Sequence, residues 1–403
     1  MAHHGSLSKK VREDAEEAIK ANEKVVAFAS STLEIGIDIG DIDLVVIDGP
    51  APNVSALLQR IGRGNRRTNL TKVLLCAESK ADSVLQRAMV NAAENGWLFA
   101  DDVGPNYSVA MQQIASYIFQ SPKRTRNAKY ITDLMKACIG PDMPVEQIIE
   151  TMKQNEELVE DEAGIRLGDR WLDLTSSGEI HSNIESDYGY KVIDEMSGDV
   201  IATGIRNVSG HGLKTGGQLL QIRRISDFDI EVKKVKDERH AQGEWKYVSR
   251  KGFFGPSQAY ALRKYLEIND EEWPVIHSGD RLYVFHLGGE VRQTVIEALA
   301  KLNAADLEPI ISNGFYFSFP AVTVDKPAWL TEYRKAGLEL LINSEIDWFE
   351  NKLRRPAANR DLPKYFRVSE VKEWLNLDVE LYNITHSVFI TDKYTDTLLH
   401  FIT

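Results

Sequence analysis

Over its first hundred residues the chain alternates short apolar runs with stretches of helical period. Residues 9–23 bring Val11, Ala15, Ala18 and Ile19 onto one face, and residues 54–61 do the same with Val54, Leu57, Leu58 and Ile61. Three apolar runs of strand length, 25–29, 43–47 and 73–77, are interspersed with them. Strands separated by helices predict a parallel α/β sheet. A helix over 81–95, stopped at Gly96, closes this region.

From Gly104 the pattern becomes helical with short connections. Helices are expected over 107–119, 131–139 and 144–154, the last opened by Pro144. Two short strands, 157–160 and 165–167, follow as a hairpin, and three helices closed by a hairpin is the winged-helix order. From Trp171 to about Val248 the signals are strands punctuated by glycine, at 190–194, 200–205, 218–225 and 230–235. These suggest a small barrel or sandwich. The remainder is mixed, with strands at 281–287 and 315–319 and helices at 290–302 and 329–343. The expected architecture is therefore α/β and α+β multidomain: a parallel α/β region over 1–100, a winged helix over 101–170, a strand-rich barrel-like module over 171–250, and a mixed α/β module over 251–403.

Composition changes this picture little. The chain has 403 residues, of which 43% are hydrophobic and 27% charged, an ordinary globular balance that excludes disorder as the main state. No apolar run approaches the roughly 20 residues a membrane span needs, and the start has no signal-peptide core. Two cysteines, Cys76 and Cys138, make neither a disulfide framework nor a metal knuckle. These features lead us to expect a cytoplasmic protein. Charge matters more. A net charge of −12 excludes binding nucleic acid with the whole surface, so such contacts must come from local basic patches.

The strongest local signal is Gln59-Arg60-Ile61-Gly62-Arg63-Gly64-Asn65-Arg66-Arg67. At about 100° per residue, Arg60, Arg63 and Arg66 group opposite the apolar stripe, so the helix can dock while the guanidiniums point outward. Arginine binds phosphate oxygens with a planar fork and never deprotonates, and across a cleft it stabilises a transferring phosphoryl group. A lone arginine cluster is more often a solvated face. Here the segment before it reverses that preference. Ser30, Ser31 and Thr32 follow a strand, where open α/β sheets place ligands, and Gly36 and Asp38 lie a few residues on. Hydroxyls and free N–H groups at such a turn suit phosphate oxygens, and Asp38 offers a carboxylate for a ribose hydroxyl or an arginine.

Together these segments resemble the second RecA-like lobe of superfamily-2 helicases, 29–39 as motif V and 59–66 as motif VI. The runs HHGSLS, STLEIGIDIGDIDLVV and SALLQRIGRGNRR are most similar to the Lhr (large helicase-related) subfamily. The resemblance implies that the 1–100 region is a partial second RecA-like lobe. It makes Arg63 and Arg66 arginine fingers on the ATP γ-phosphate, with Gln59, Asp38, Gly36 and Arg60 around the nucleotide. It sets His4, Ser30 and Ser31 on the backbone of a tracking strand. ATP and Mg²⁺ are the implied cofactors of the intact enzyme, single-stranded DNA or a tailed DNA or RNA:DNA duplex the implied partner, and DNA repair a family-level role. Gly64-Asn65-Arg66 departs from the usual Ala-Gly-Arg.

The first-lobe motifs are absent. No GxxxxGK[ST] loop occurs. The run from Gly210 to Gly216 lacks the Gly-Lys pair, and the DExH string at Asp237–His240 follows motif VI instead of preceding it. The expectation is half of a composite ATP site, inactive alone and completed by a first lobe of the same gene or a separate chain. Alternatives are a non-catalytic nucleic-acid-binding or adaptor protein, or a subunit completing another polypeptide. Softer nucleic-acid candidates are Arg124 and Arg126 in a basic turn, Trp171, Arg224, and Trp245 with Lys246 where aromatics alternate with cations. Each has a competing reading as a solvated face or core packing. No metal-site cluster is visible in the sequence.

Overall fold

A computed structural model describes residues 1–5, 7–21, 24–30, 33, 42–64, 71–99, 106–177, 179–181, 190–215, 217–226, 229–247, 255–303, 310–320, 323–354, 362–391 and 393–402. They form two compact units, each discontinuous in sequence: Met1–Leu98 with Ser186–Gly252, and Phe99–Glu185 with Phe253–Thr403. The fold is mixed α/β. Among the described residues no helix is long and apolar enough to cross a membrane.

In the first unit the parallel pairing expected of runs 43–47 and 73–77 is present, while run 25–29 pairs with a strand at Ala2–His3 that was not expected, so the described strands form two separate pairs. Ala2–His3 pairs with Phe28–Ala29, and Val45–Asp48 with Val73–Cys76, where Val46 faces Leu74 across the ladder. The helix Val54–Ile61 starts where Asn53 accepts the Ala56 N–H at 2.7 Å. Lys80–Glu94 starts with a capping box, Ser79 and Asp82 each bonding the other's backbone. Its Gln86 side chain donates to the Cys76 carbonyl at 2.7 Å, tying helix to strand end. At the other end Gly96 takes φ +70°, the left-handed turn that glycine accepts most readily.

The same unit holds a six-stranded sheet in the order Gly212–Thr215, Gln218–Ile225, Asp229–Val235, Tyr190–Asp194, Val200–Gly210, Gly243–Tyr247. All pairings are antiparallel except Asp229–Val235 with Tyr190–Asp194. The sheet curls into a half-barrel because its outer strands meet at one end. There a Cβ on Gly243 would lie 2.3 Å from the Gly212 carbonyl oxygen, so only glycine fits. Alternate residues Val192, Ala202, Leu213, Leu220, Ile230 and Val232 fill the concave side.

In the second unit, helices Tyr107–Phe119, Ala128–Cys138 and Val145–Gln154 pack with the three-stranded sheet Thr125–Arg126, Gly164–Leu167, Leu158–Asp161. The sequence reading is corrected after Gly168. Residues Asp169–Ser177 are helical and Glu179–His181 a 3₁₀ turn, so the strand-rich run begins at Tyr190 and not at Trp171. The last module is a five-stranded sheet, Ile311–Ser312, Phe317–Pro320, Arg281–Val284, Glu272–Ser278, Val388–Ile390, packed by helices including Gly289–Leu302 and Lys364–Leu375. The N–H of Tyr107 donates to Glu370, and the Tyr107 and Phe366 rings meet at 4.9 Å, so both cores of this unit share the Lys364–Leu375 helix.

Candidate nucleotide and nucleic-acid site

The arginine-rich motif is positioned by a short helix and a glycine. Val54, Ala56 and Leu57 are buried, while Leu58, expected on the apolar stripe, is 40% exposed. The helix stops at Ile61. Gly62 donates to the Leu58 carbonyl at 2.8 Å, Arg63 to Arg60 at 3.2 Å, and Gly64 to Ile61 at 3.0 Å. The helical grouping of Arg60 with Arg63 is thereby corrected, because Arg60 sits on the last turn and Arg63 in the tight turn beyond it, where the glycines end the helix. Gly64 then bridges to Ile42, and a Cβ there would lie 2.7 Å from Thr71 Cγ2 and 3.2 Å from Val45 Cγ2. That close approach holds Arg63 between helix end and strand. Gln59 is exposed, and Arg60 and Arg63 are half-buried. Arg66, Asp38, Gly36 and Ser31 lie outside the described residues.

His4 and Ser30 are brought together. Because His3 pairs with Ala29 in a parallel ladder and Ser30 N–H donates to the His3 carbonyl at 3.1 Å, the two candidate residues follow adjacent paired positions. Their neighbour His3 is buried and its Nε2 donates to Glu16 Oε1 at 3.0 Å, which pins the Lys9–Ala21 helix to the segment. Sequence reasoning passed over this contact, since neither a histidine beside a candidate nor a glutamate on a helix signals the pairing.

The remaining candidates have local partners. Arg124, at φ 56°, lies over the Phe119 ring at 3.7 Å and donates to the Phe119 carbonyl, so its charge serves the end of the helix before it. Arg126 lies over Tyr117 at 4.4 Å. Trp171 is 8% exposed in the helical core, with its Nε1 donating to Glu157 Oε2 at 3.4 Å. Arg224 is exposed on the second strand of the half-barrel, opposite Glu231. Trp245 packs half-buried on the sixth strand, and the Lys246 side chain lies outside the described residues. In the DExH string, Asp237 accepts from the Arg239 backbone and guanidinium, which lowers the pKa of its carboxyl. Among the described residues no three His, Cys, Asp or Glu side chains gather as metal ligands.

Residues 1–68 match the family described as the helicase conserved C-terminal domain, which takes in both arginine and serine segments. The chain is 42% identical to ATP-dependent helicase Lhr-Core protein 2 of Thermococcus barophilus over 95 residues, 23% of this chain and 11% of that protein. It is 53% identical to ATP-dependent helicase Lhr-Core of Sulfolobus acidocaldarius over 62 residues, 15% of this chain and 7% of that protein. These matched stretches thus cover about a tenth of each curated relative. In fold it is similar to Mycobacterium smegmatis helicase Lhr, solved bound to ssDNA and AMP-PNP, with a TM-score of 0.58, 14% identity, and coverage of 97% of this chain and 60% of that one. The stretch that holds both motif segments is thus similar to helicase C-terminal domains and to Lhr-Core helicases, and the fold over nearly the whole chain is similar to that of an Lhr helicase.

Proposed function

We propose that this chain is the C-terminal portion of an ATP-dependent helicase or translocase acting on DNA or RNA:DNA hybrid, contributing the arginine side of a composite ATP site and part of a single-strand path. The observation that carries the reading is Arg63, held by the Ile61–Gly64 turn against the parallel pair, within the stretch matched to helicase C-terminal domains. The donor set fits phosphate: Arg60 on the last turn of the helix is followed by Arg63 in the tight turn beyond it, with Gln59 exposed beside Arg60. Bound ATP would supply the free energy of γ-phosphoryl transfer. Arg63 and Arg66 would neutralise charge on the γ-phosphate, while Gln59, Asp38, Gly36 and Arg60 would orient the nucleotide. A Mg²⁺ bound with ATP would take its protein carboxylate from a first lobe, completed by the same gene or a separate chain.

His4, Ser30 and Ser31 would touch the sugar-phosphate backbone, with Arg224, Trp245 and Lys246 further along. The helices and hairpin of 101–170 would act as a winged helix, in a cytoplasmic protein. ATP turnover tests this. The purified chain alone should show none, since its sequence contains no GxxxxGK[ST] loop. With a first-lobe polypeptide and single-stranded DNA, turnover should appear, and Arg63→Ala should lower it about a thousandfold. Turnover by the chain alone, or an Arg63→Ala complex as active as the parent, would overturn the reading.

A further inference from the structure

One short stretch of chain belongs to two parts of the first unit at once. Ala2 and His3 complete the parallel pair with Phe28 and Ala29, with Phe28 N–H donating to the Met1 carbonyl at 2.8 Å. A few residues on, Leu7 bridges antiparallel to Ala202, and Ser8 N–H donates to the Ile201 carbonyl at 3.0 Å. Leu7 is 3% exposed and lies in the half-barrel cluster with Val192, Ile205, Leu213 and Ile230. The turn between the two attachments is closed by Leu7 N–H donating to the His4 carbonyl at 3.0 Å. On the outside, Lys10 Nζ of the Lys9–Ala21 helix meets Asp199 Oδ2 at 3.0 Å, just before the Val200–Gly210 strand, an exposed pair that adds little stability.

We propose that Leu7 is a positioning residue, a plug that seats the His4–Ser30 segment on the half-barrel so that the two respond to a bound single strand as one body. The physical reason is close packing. A leucine side chain inserted among β-branched and leucine neighbours has few alternative placements, and the one-turn link to His4 transmits its position. The linkage itself stands on packing and hydrogen bonds. Only the identity of the ligand rests on the function proposed above.

The test uses the full chain with Leu7→Ala, Leu7→Met, and the exchanged pair Lys10→Asp/Asp199→Lys. Amide hydrogen exchange is followed by mass spectrometry in peptides spanning 24–30 and in the Lys80–Glu94 helix of the same unit. Leu7→Ala should speed exchange around Phe28 and Ser30 about tenfold and leave the Lys80–Glu94 helix unchanged, while Leu7→Met restores the parent pattern. The exchanged pair should match the parent, since the exposed ion pair adds little and the linkage rests on Leu7. Unchanged exchange at 24–30, or equal acceleration throughout the unit, overturns the linkage. A fluorescent oligothymidylate provides the second readout. Leu7→Ala should weaken its binding about tenfold in parallel with the exchange; undiminished binding overturns the positioning role. If the parent chain does not bind the oligonucleotide, the nucleic-acid reading fails, while the exchange result still decides the linkage.

Discussion

The C-terminal module shows how far single residues depart from their usual settings. Arg263 is buried, and its guanidinium donates to the carbonyls of His286 at 2.6 Å, Asn269 at 2.7 Å and Leu287 at 3.2 Å. Burial, followed by the nearby Arg292 charge, pulls its pKa to about 10. Arg292 in turn is paired with Glu380, Nε to Oε2 at 2.6 Å. Between them His286 is fully buried, its Nε2 donating to the Asn313 carbonyl at 3.0 Å and its Nδ1 accepting from Gly288 N–H at 3.1 Å. Burial first, then Arg292, then Arg263 push its pKa well below that of a free imidazole, against the opposing Asn313 hydrogen bond. A base whose pKa is depressed on folding binds a proton more readily when unfolded. The contribution is therefore present above about pH 6.5 and is lost as pH falls below it. Unfolding free energy should drop by up to about 1.4 kcal/mol per pH unit through this group. His286→Asn should remove that part of the slope between pH 6.5 and 5, measured as denaturant midpoints against the parent. An identical slope in the variant would show that His286 takes up protons equally in both states. None of this cluster was legible in the sequence, because arginine and glutamate are read as surface residues unless a partner far along the chain is known.

At the scale of elements, the helices were legible from period and a glycine stop. Residues 54–61 follow from apolar spacing and 81–95 from the stop at Gly96, and the structure has Val54–Ile61 and Lys80–Glu94, with the caps at Asn53 and Ser79 found only there. Ends were less legible where the partner is distant. The helix Leu377–His386 ends under Lys326, whose ammonium donates to the carbonyls of Ile384 at 2.7 Å, Thr385 at 2.8 Å and Ser387 at 2.8 Å. A cation at the carbonyl end meets both the unpaired acceptors and the dipole. Lys326→Ala should lower stability by about 1–2 kcal/mol and speed amide exchange over the last turn of that helix, with its first turn unaffected. An unchanged last turn would assign its termination to local sequence alone. The strands carry a different lesson. Val46 and Leu74, paired across the ladder, are 55% and 52% exposed, while Ile47 on the opposite side is buried against helices. Parallel strands usually read as continuous apolar runs because both faces are covered, and the pattern alone did not distinguish the covered face from the open one.

At the scale of the molecule, chain order proved a poor guide to which parts pack together. The first 98 residues share a compact unit with Ser186–Gly252, and the intervening helices belong with the C-terminal modules. The net charge of −12 also acts at this scale. If nucleic acid meets a narrow basic track, few condensed ions are released on binding. For two or three phosphates on a single strand the slope of log K against log salt should be roughly −1.5 to −2. Titration of the oligothymidylate between low and moderate salt checks this. A slope near −5 would mean a broad basic surface and would contradict the charge argument.

The sequence by itself determined the alternation of strand and helix, the helix stop at Gly96, four of the six half-barrel strands, and the motif order that carries the helicase resemblance. Each of these is written in neighbours a few residues apart, as period, turn chemistry or motif spacing. Only the tertiary structure decided that Gly64 wedges the Arg63 turn against Val45 and Thr71, that Arg124 lies over Phe119 and Trp171 reaches Glu157, and that Leu7 fills a cluster with Ala202. The last depends on close packing between segments far apart in the chain, where a contact leaves no local mark on either partner, and the others on which of several nearby partners the fold presents.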